Sequence, residues 1–355
     1  MASLRQGLAI AMAWCSLGGC AAPWTPAMAT YAIQANYVVS SDTSSVSDWN
    51  SSLIGVYPNP IPQLDGDSDV VAAVVDTGVD PNQRDLKSRL LPMIDLIGPD
   101  QVDINGISAD YNGRDGNGHG THVAGLVLNT IGPLNSIDLL PIKAINHTGI
   151  GDDSTIAEGI HRAVDWRDPS NPYRRVRVIN LSVGGTMSSQ VLKDALDYAT
   201  THDVLVVVAA GNRQRDVDYP AAFPTAFAVS ALTRQDELAS YSNRGHAVAI
   251  SAPGGDGDAA ISSTWPTYLT ADDLEKGVMT PHRYGEMIGT SMAAPQVTGA
   301  AALLFADDPS LTAAQVRVRL QAGSDNMGPI GPNGYFGVGC LNVPAALAKG
   351  AGDAP

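Results

Sequence analysis

Continuous apolar runs, each about the length of a β-strand, constrain the fold of this chain more than any other feature of its sequence. The first spans residues 70–75, contains only valine and alanine, and ends at Asp76. Similar, mostly apolar runs follow at residues 137–145, 176–181, 204–210 and 226–231. Because the runs are continuous and do not alternate with polar residues, they are typical of strands that are buried on both faces of a sheet.

Helical patterns separate these runs. Apolar residues recur at helical spacing over residues 155–166 and 188–202, and a segment rich in small residues spans 290–306. Residues 155–158 and 312–315 fit capping boxes, which open helices. The alternation of strands and helices predicts an α/β fold, with a doubly wound, mainly parallel sheet and helices on both of its faces. We expect one domain over about residues 65–350.

Composition narrows the class of protein. The 355 residues include 21 basic and 36 acidic ones, for a formal charge of −15, which argues against a nucleic-acid partner. With 44% hydrophobic residues, the chain has ample material for a core. Cys15 and Cys20 lie near the amino terminus and leave Cys340 alone, so we expect no disulfide framework and a buried, small apolar role for Cys340.

The amino terminus has the pattern of an export signal. Arg5 precedes an apolar run over residues 7–19, which is too short to span a membrane as a helix. We predict a signal peptide over residues 1–19, with Cys20 as the lipidated first residue after a lipobox. The alternative is cleavage after residue 29, where Ala27–Ala29 forms an A-x-A site; a buried apolar helix is a third interpretation. An extension over residues 20–64, partly flexible, would follow the signal.

Three segments supply the chemistry of a nucleophile, a base and an orienting acid. Asp76 stands at the carboxyl end of the first apolar run, where open α/β sheets place their ligand sites. His119 lies among glycines at the start of a helical segment, and Ser291 opens the small-residue segment at 290. A serine hydroxyl becomes a strong nucleophile when an imidazole takes its proton, and a carboxylate fixes that imidazole.

The order Asp76, His119, Ser291 and the motifs around these residues resemble the subtilisin-like serine proteases, or subtilases. The resemblance runs from about residue 69 to 349. It implies that Asn212 contributes to an oxyanion hole. It also implies a subtilisin-like fold, polypeptide substrates and a monomer that is secreted or anchored to the cell envelope by lipid. The resemblance assigns backbone binding of substrate to five further residues, which are Gly149, Gly151, Ser182, Gly184 and Gly185.

The sequence evidence for a metal site or a cofactor is weaker than the evidence for the nucleophile, base and acid. His119 and His122 form an H-x-x-H pair, but no cysteine or third histidine in a comparable setting completes a zinc site, so we predict no metal ligands and a structural role for His122. Residues 128–140 lack the asparagine-rich calcium loop of the family. Structural calcium is compatible with the family but has no clear site here, and no cofactor is required for the predicted reaction. Residues 266–283 form an extra segment, expected as a surface loop beside the cleft.

Two other functions stay open from the sequence. A relative of the same fold can pass its acyl-enzyme to an amine, as in peptide transpeptidases and macrocyclases. A non-catalytic protein can keep the cleft for peptide binding alone.

The small, uncharged residues at 182–185 and 209–211 favour an apolar substrate side chain in the primary pocket. Asp152 and Asp153 would favour basic substrates if they faced the cleft, although solvated loop acids are the simpler interpretation.

The extension over residues 20–64 leads to an expectation about activation. It is Ser- and Pro-rich and close to the lower size limit for independent folding, so we expect no separate inhibitory domain. Residues 49–57 are expected to pack against the catalytic domain. The rest is expected to mask the cleft only weakly, without obligatory autocleavage.

Overall fold

A computed structural model describes residues 29–38, 49–58, 61, 64, 69–104, 106–133, 137–328 and 333–348. The predicted signal, including Cys15 and the lipobox at Cys20, lies outside the described residues. The described strands are β1 (Thr30–Ile33), β2 (Asn36–Val38), β3 (Val70–Asp76), β4 (Ile94–Asp95), β5 (Gln101–Ile104), β6 (Ile107–Asp110), β7 (Asp138–Lys143), β8 (Ile150–Asp152), β9 (Arg175–Leu181), β10 (Val183–Gly184), β11 (Leu205–Ala209), β12 (Phe227–Leu232), β13 (Val248–Pro253), β14 (Ile261–Thr264) and β15 (Tyr284–Ile288). The described α-helices are α1 (Trp49–Leu53), α2 (His119–Ile131), α3 (Asp153–Asp165), α4 (Gln190–Thr201), α5 (Ala271–Glu275), α6 (Thr290–Asp307), α7 (Ala313–Gly323) and α8 (Val343–Ala348).

Seven parallel strands form the central sheet, in the order β13-β12-β11-β9-β3-β7-β4. Between Val70 and Val75, the even-numbered residues belong to one apolar cluster and the odd-numbered residues to a second one. Helices α2 and α6 contribute to the first cluster, and α3 and α4 to the second. The sheet is therefore covered on both faces, which confirms the predicted doubly wound α/β fold.

The predicted helices form, with one shifted start. Thr312 and Gln315 make the predicted capping box of α7, each side chain bonding to the backbone of the other residue. The box predicted at residues 155–158 is wrong, because α3 starts earlier. Asp152 caps it by accepting from the Thr155 N–H at 2.8 Å. A carboxylate that precedes a helix can accept from the same free N–H groups as a threonine hydroxyl, and here the Asp152 carboxylate is the cap.

Two small sheets contain strands from the amino-terminal extension. Strand β1 lies between β8 and β10, antiparallel to both, and β2 lies antiparallel to β15 at an edge. The segment that contains α1 packs on the main body, as predicted for residues 49–57: Ile54, directly after α1, is buried, and its carbonyl accepts from the Val343 N–H at 3.0 Å. The division of the chain at residue 65 stays a prediction, but the described parts of the extension contact the domain that follows.

A buried ion pair fastens the loops that precede α2. Lys143, at the end of β7, is fully buried and donates to Asp100 at 2.6 Å and to the Tyr111 and Arg114 carbonyls. Burial alone would raise the pKa of Asp100, but hydrogen bonds from Lys143 and His147 hold that pKa below its usual value.

Cys340 is buried, as predicted, and burial raises the pKa of its thiol to about 12.

Among the described helices, none has both the length and the apolar character that crossing a bilayer requires.

Candidate active site

The carboxyl end of β3 brings Asp76 against the first residue of α2. The Nδ1 atom of His119 donates to Asp76 Oδ1 at 2.7 Å, and both side chains are fully buried. The same carboxylate oxygen accepts from the Thr77 N–H at 2.7 Å. The predicted acid and base are therefore in direct contact, and the hydrogen bond fixes both the tautomer and the orientation of the imidazole.

Asp115, which the sequence analysis did not single out, sets the position of His119. Its carboxylate is fully buried and accepts five hydrogen bonds. They come from the Thr77 hydroxyl, the Asn117 and Gly118 N–H groups, and both the N–H and the hydroxyl of Thr121. Because these donors belong to the loop before α2, its first turn and the residue after Asp76, one carboxylate ties the start of α2 to the end of β3.

Gly120 permits this close approach. A Cβ at that position would stand 2.1 Å from the Gly78 carbonyl oxygen, so no side chain fits between α2 and the loop that follows β3. A Cβ on Gly118 would likewise meet the Trp265 ring at 2.4 Å. The glycines on either side of His119 therefore make room for packing within the protein.

Ser291 is the second residue of α6, and two features hold it in place. Pro295 has no N–H to donate to the Ser291 carbonyl, which instead accepts from the Ser182 hydroxyl at 3.1 Å. The Ser291 hydroxyl donates to the Ser182 carbonyl at 3.0 Å. Within the described part of the chain, His119 Nε2 has no hydrogen-bond partner. The hydroxyl of the predicted nucleophile and the imidazole of the predicted base are thus not hydrogen-bonded to each other in this arrangement.

Asn212 follows β11, as the resemblance implied, and its side chain is oriented by Thr290. Its Oδ1 atom accepts from the Thr290 N–H and hydroxyl, both at 2.9 Å. A Cβ on Gly289 would lie 2.2 Å from the Gln34 carbonyl oxygen and 2.9 Å from Asn212 Nδ2. The amide group and that carbonyl therefore border the same small space.

The cleft between β8 and β10 contains part of the chain itself. Ala32 of β1 pairs with Ile150 on one side and with Gly184 on the other. The Ile33 N–H donates to the Gly149 carbonyl at 3.1 Å, and Tyr31 pairs with Gly151. Gly149, Gly151, Ser182 and Gly184 thus contact an extended backbone, here that of the chain's own residues 31–34. Binding of substrate backbone by these residues stays a prediction. Gly185 does not pair with β1 but with Tyr219. It still lies close to the segment, because a Cβ on Gly185 would stand 3.0 Å from the Thr30 carbonyl oxygen.

This segment brings a peptide bond to Ser291. The Gln34 N–H lies 3.2 Å from the Ser182 carbonyl and 3.0 Å from the Ser291 hydroxyl oxygen, which accepts from it. The Gln34 carbonyl accepts from the Ser291 N–H at 3.1 Å. The carbonyl that follows the strand is thus held at the start of α6, where the backbone N–H and the helix dipole favour negative charge.

The side chain of Gln34 enters the predicted primary pocket. It is 4% exposed, and its amide donates to the Ala32 and Gly184 carbonyls at 2.9 and 3.0 Å. Asp218, which our sequence analysis did not consider, packs behind Gly184 and is buried beside Arg215. The chain therefore presents a polar side chain to a pocket that the sequence predicted for an apolar one.

Our expectation that the extension masks the cleft only weakly is wrong. Tyr31 is 1% exposed, and its hydroxyl donates to the Met187 carbonyl at 2.9 Å. Such binding needs no folded inhibitory domain, because one short strand satisfies the unpaired backbone groups of two neighbouring strands at once.

The remaining candidates have structural contacts. Burial lowers the pKa of His122 to about 3, and its Nε2 atom lies 3.1 Å from the Ile261 carbonyl, as expected for a neutral structural histidine. Asp152 caps α3 and Asp153 accepts from Ser189, so neither is a free acid facing the cleft. No group of three or more potential metal-ligating side chains occurs among the residues that the structure describes.

The inserted segment over residues 266–283 is more than a surface loop. It contains α5, the Tyr111 hydroxyl donates to its Leu269 carbonyl at 3.0 Å, and the Ala271 N–H donates to Gly116 at 2.8 Å. It therefore packs directly on the loop that leads to His119.

Comparisons with known proteins agree with this geometry. The family model "Subtilase family" matches residues 67–339. Subtilisin DY of Bacillus licheniformis is 35% identical over 290 residues, which cover 79% of this chain and 91% of that protein. Minor extracellular protease Epr of Bacillus subtilis (strain 168) is 30% identical over 340 residues, or 91% of this chain and 46% of that protein. A crystal structure of a lanthipeptide protease has a TM-score of 0.69 at 26% identity, covering 84% of this chain and 93% of its own.

Replacement of Gly289 tests the described contact between the segment and the cleft. In Gly289→Ala, the new Cβ should expel the Gln34 carbonyl, so the amides of β1 should exchange with deuterium faster by about tenfold or more. Hydrogen exchange followed by mass spectrometry measures this best in a Ser291→Ala background. Gly257→Ala is the matched control, since a Cβ there meets no atom within 4 Å. Unchanged exchange of β1 in Gly289→Ala would contradict the described contact.

Proposed function

Because the chain belongs to the subtilase family, we propose that it is an exported serine endopeptidase that uses Asp76, His119 and Ser291 as its catalytic triad. The observation that carries this proposal is the peptide carbonyl of Gln34, which lies 3.1 Å from the Ser291 N–H at the end of an antiparallel strand. A cleft that pairs with extended backbone on both sides and brings a carbonyl to a serine is suited to peptide-bond cleavage.

In the proposed reaction, rotation about the Cα–Cβ bond of Ser291 moves its hydroxyl from the Ser182 carbonyl to the unpaired His119 Nε2. His119 takes the hydroxyl proton as the serine oxygen attacks the substrate carbonyl, and then returns the proton to the leaving amine. Asp76 stabilises the imidazolium that forms, through the 2.7 Å hydrogen bond to Nδ1. Water then hydrolyses the acyl-enzyme and restores the serine.

The negative charge that develops on the carbonyl oxygen would be stabilised by two donors. One is the Ser291 N–H, and the other is the Asn212 amide, which Thr290 holds by its carbonyl end. Donors that are fixed before the reaction cost no reorganisation when the charge appears. Polypeptides are the proposed substrates, and since every proposed group belongs to one chain, the proposed active form is a monomer that needs no cofactor for these steps.

Substitutions in the triad test the proposal. Ser291→Ala should lower kcat for a peptide substrate by about 10⁴–10⁶, and His119→Ala should be nearly as severe. Because the two side chains act as a unit, the double variant should lose little more than either single one. Asn212→Ala should lower kcat by about 10²–10³ with little change in KM. Steady-state kinetics would measure these effects, with Ser310→Ala, in an exposed turn, as the control.

Three outcomes would contradict parts of this proposal. Additive losses from Ser291→Ala and His119→Ala would contradict the triad. Cyclic or ligated products in place of hydrolysed ones would identify a transpeptidase. Failure of a serine-reactive fluorophosphonate to label Ser291, together with peptide binding, would identify a non-catalytic binding protein.

We also propose attachment to the cell envelope through lipid on Cys20, based on the lipobox in the sequence. The acidic domain would then be held at the membrane by its acyl chains. Mass spectrometry of the amino terminus should show a diacylglyceryl group on Cys20, with the protein in the membrane fraction. A soluble product with a free amino terminus at Thr30 would show the alternative cleavage after residue 29.

A further inference from the structure

We propose that Asp218 determines the side-chain specificity of the cleft, so that its primary pocket selects a substrate residue whose long side chain ends in a cation. This rests on the proposed function and deepens it by naming the class of substrate residue that precedes the cleaved bond. It departs from our sequence-based expectation that the pocket favours an apolar side chain.

One oxygen of the Asp218 carboxylate is buried without a hydrogen bond. Its Oδ1 atom accepts from Arg215 at 2.5 Å, whereas Oδ2 accepts from no group in the described part of the chain. The Asp218 side chain is 2% exposed in the arrangement in which Gln34 occupies the pocket. Because buried polar atoms in folded proteins nearly always have a partner, an unpaired carboxylate oxygen beside a peptide-binding cleft indicates a place for a donor from the ligand.

Two glycines place this carboxylate at the pocket. A Cβ on Gly184 would lie 3.1 Å from the Gln34 amide nitrogen and 3.3 Å from Asp218 Cβ, so the end of the Gln34 side chain and Asp218 border the same space. A Cβ on Gly211 would lie 2.6 Å from Asp218 Oδ2. The Asp218 N–H also donates to the Ala210 carbonyl at 2.9 Å. The unpaired oxygen therefore adjoins both segments that are expected to line the pocket.

Neighbouring amide groups do not satisfy this oxygen. Asn243 Nδ2 donates to the Ala210 carbonyl at 3.1 Å and not to Asp218 Oδ2. The Gln34 amide uses both of its N–H groups on backbone carbonyls, at 2.9 and 3.0 Å. A glutamine side chain thus occupies the pocket without a hydrogen bond to Asp218.

A longer cationic side chain supplies the missing donor. Lysine carries its nitrogen one bond farther from the backbone than glutamine does, and its ammonium group has three donors, enough for the Gly184 carbonyl and for Asp218 Oδ2. A hydrogen bond between charged groups is stronger than one between neutral groups. An apolar side chain would instead leave the carboxylate oxygen buried and unpaired, which is the kind of mismatch that a binding site rejects most strongly.

Two arginines oppose this preference only in part. Arg215 bonds to Oδ1, and Arg213 Nη1 lies 3.9 Å from Oδ2. The two arginine side chains are 42% and 44% exposed, so water and salt screen their charges, whereas the carboxylate is buried. A cation inside the pocket is therefore better placed than either arginine to interact with Oδ2.

Peptides with the sequence of residues 30–38, carrying lysine or methionine at the place of Gln34, test the proposal. Both side chains are unbranched and similar in length, so they differ mainly in charge. The full chain should hydrolyse the lysine peptide with a kcat/KM about tenfold higher or more, and in Asp218→Asn the ratio should fall to about 1. The segment in the cleft lowers both values by the same factor, so it leaves their ratio unchanged.

Two further variants show whether the effect belongs to Asp218. Asp216→Asn removes the same charge from an exposed residue nearby and should change the ratio by less than about twofold. Arg215→Gln removes a competing cation and should raise the ratio by about threefold or more. A wild-type ratio of 1 or below, a ratio that persists in Asp218→Asn, or an equal loss in Asp216→Asn would overturn the proposal.

Hydrogen exchange tests the pocket without catalysis. In a full chain that carries Ser291→Ala, the amides of β1 should exchange about tenfold more slowly in Gln34→Lys than in Gln34→Met, and addition of Asp218→Asn should abolish the difference. If no peptide is hydrolysed but this difference appears, the proposed function is wrong and the preference of the pocket stands. If peptides are hydrolysed without a preference for lysine and the two variants exchange alike, the role of Asp218 is wrong and the proposed function stands.

Discussion

The buried hydrogen bond between Asp76 and His119 is the interaction on which the geometry of the site depends. Its two side chains are fully removed from water, and loss of either partner would leave a buried polar group unpaired, at a cost of about 1–3 kcal/mol. The central sheet supplies the acid, because Asp76 ends β3, a strand that is paired with β7 on one side and with β9 on the other. The first residue of α2 supplies the histidine, and Asp115 joins the two segments by accepting from Thr77, which follows Asp76, and from Gly118, which precedes His119.

The same construction explains why the site is rigid where chemistry requires it. Thr290 bonds to Asn212 in the segment after β11. Because Pro295 has no N–H, the Ser291 carbonyl accepts from Ser182, which lies between β9 and β10. These two contacts fix the start of α6. The backbone edges of β8 and β10 then form a cleft whose free N–H and C=O groups accept an extended peptide. Any strand with a matching register can satisfy them, and in this molecule the chain supplies that strand itself.

Much of the fold could be predicted from the sequence because the signals were local. The apolar runs predicted the sheet, and Asp76, His119, Ser291 and Asn212 each stand at a strand end or a helix start. Asp115 could not be found in this way, since its role depends on five donors that meet only in the folded chain. Residues 30–38 carry no strong strand pattern either. Their strands exist because two open edges and β15 accept them, so tertiary pairing overrides local preference.

A crystal structure of the full-length Ser291→Ala chain tests the account most directly, because that chain cannot complete the proposed reaction. The account predicts continuous electron density from Thr30 to Val38, with β1 between β8 and β10 and the Gln34 carbonyl within hydrogen-bond distance of the backbone N–H of residue 291. An empty cleft, or the extension bound elsewhere on the surface, would contradict it.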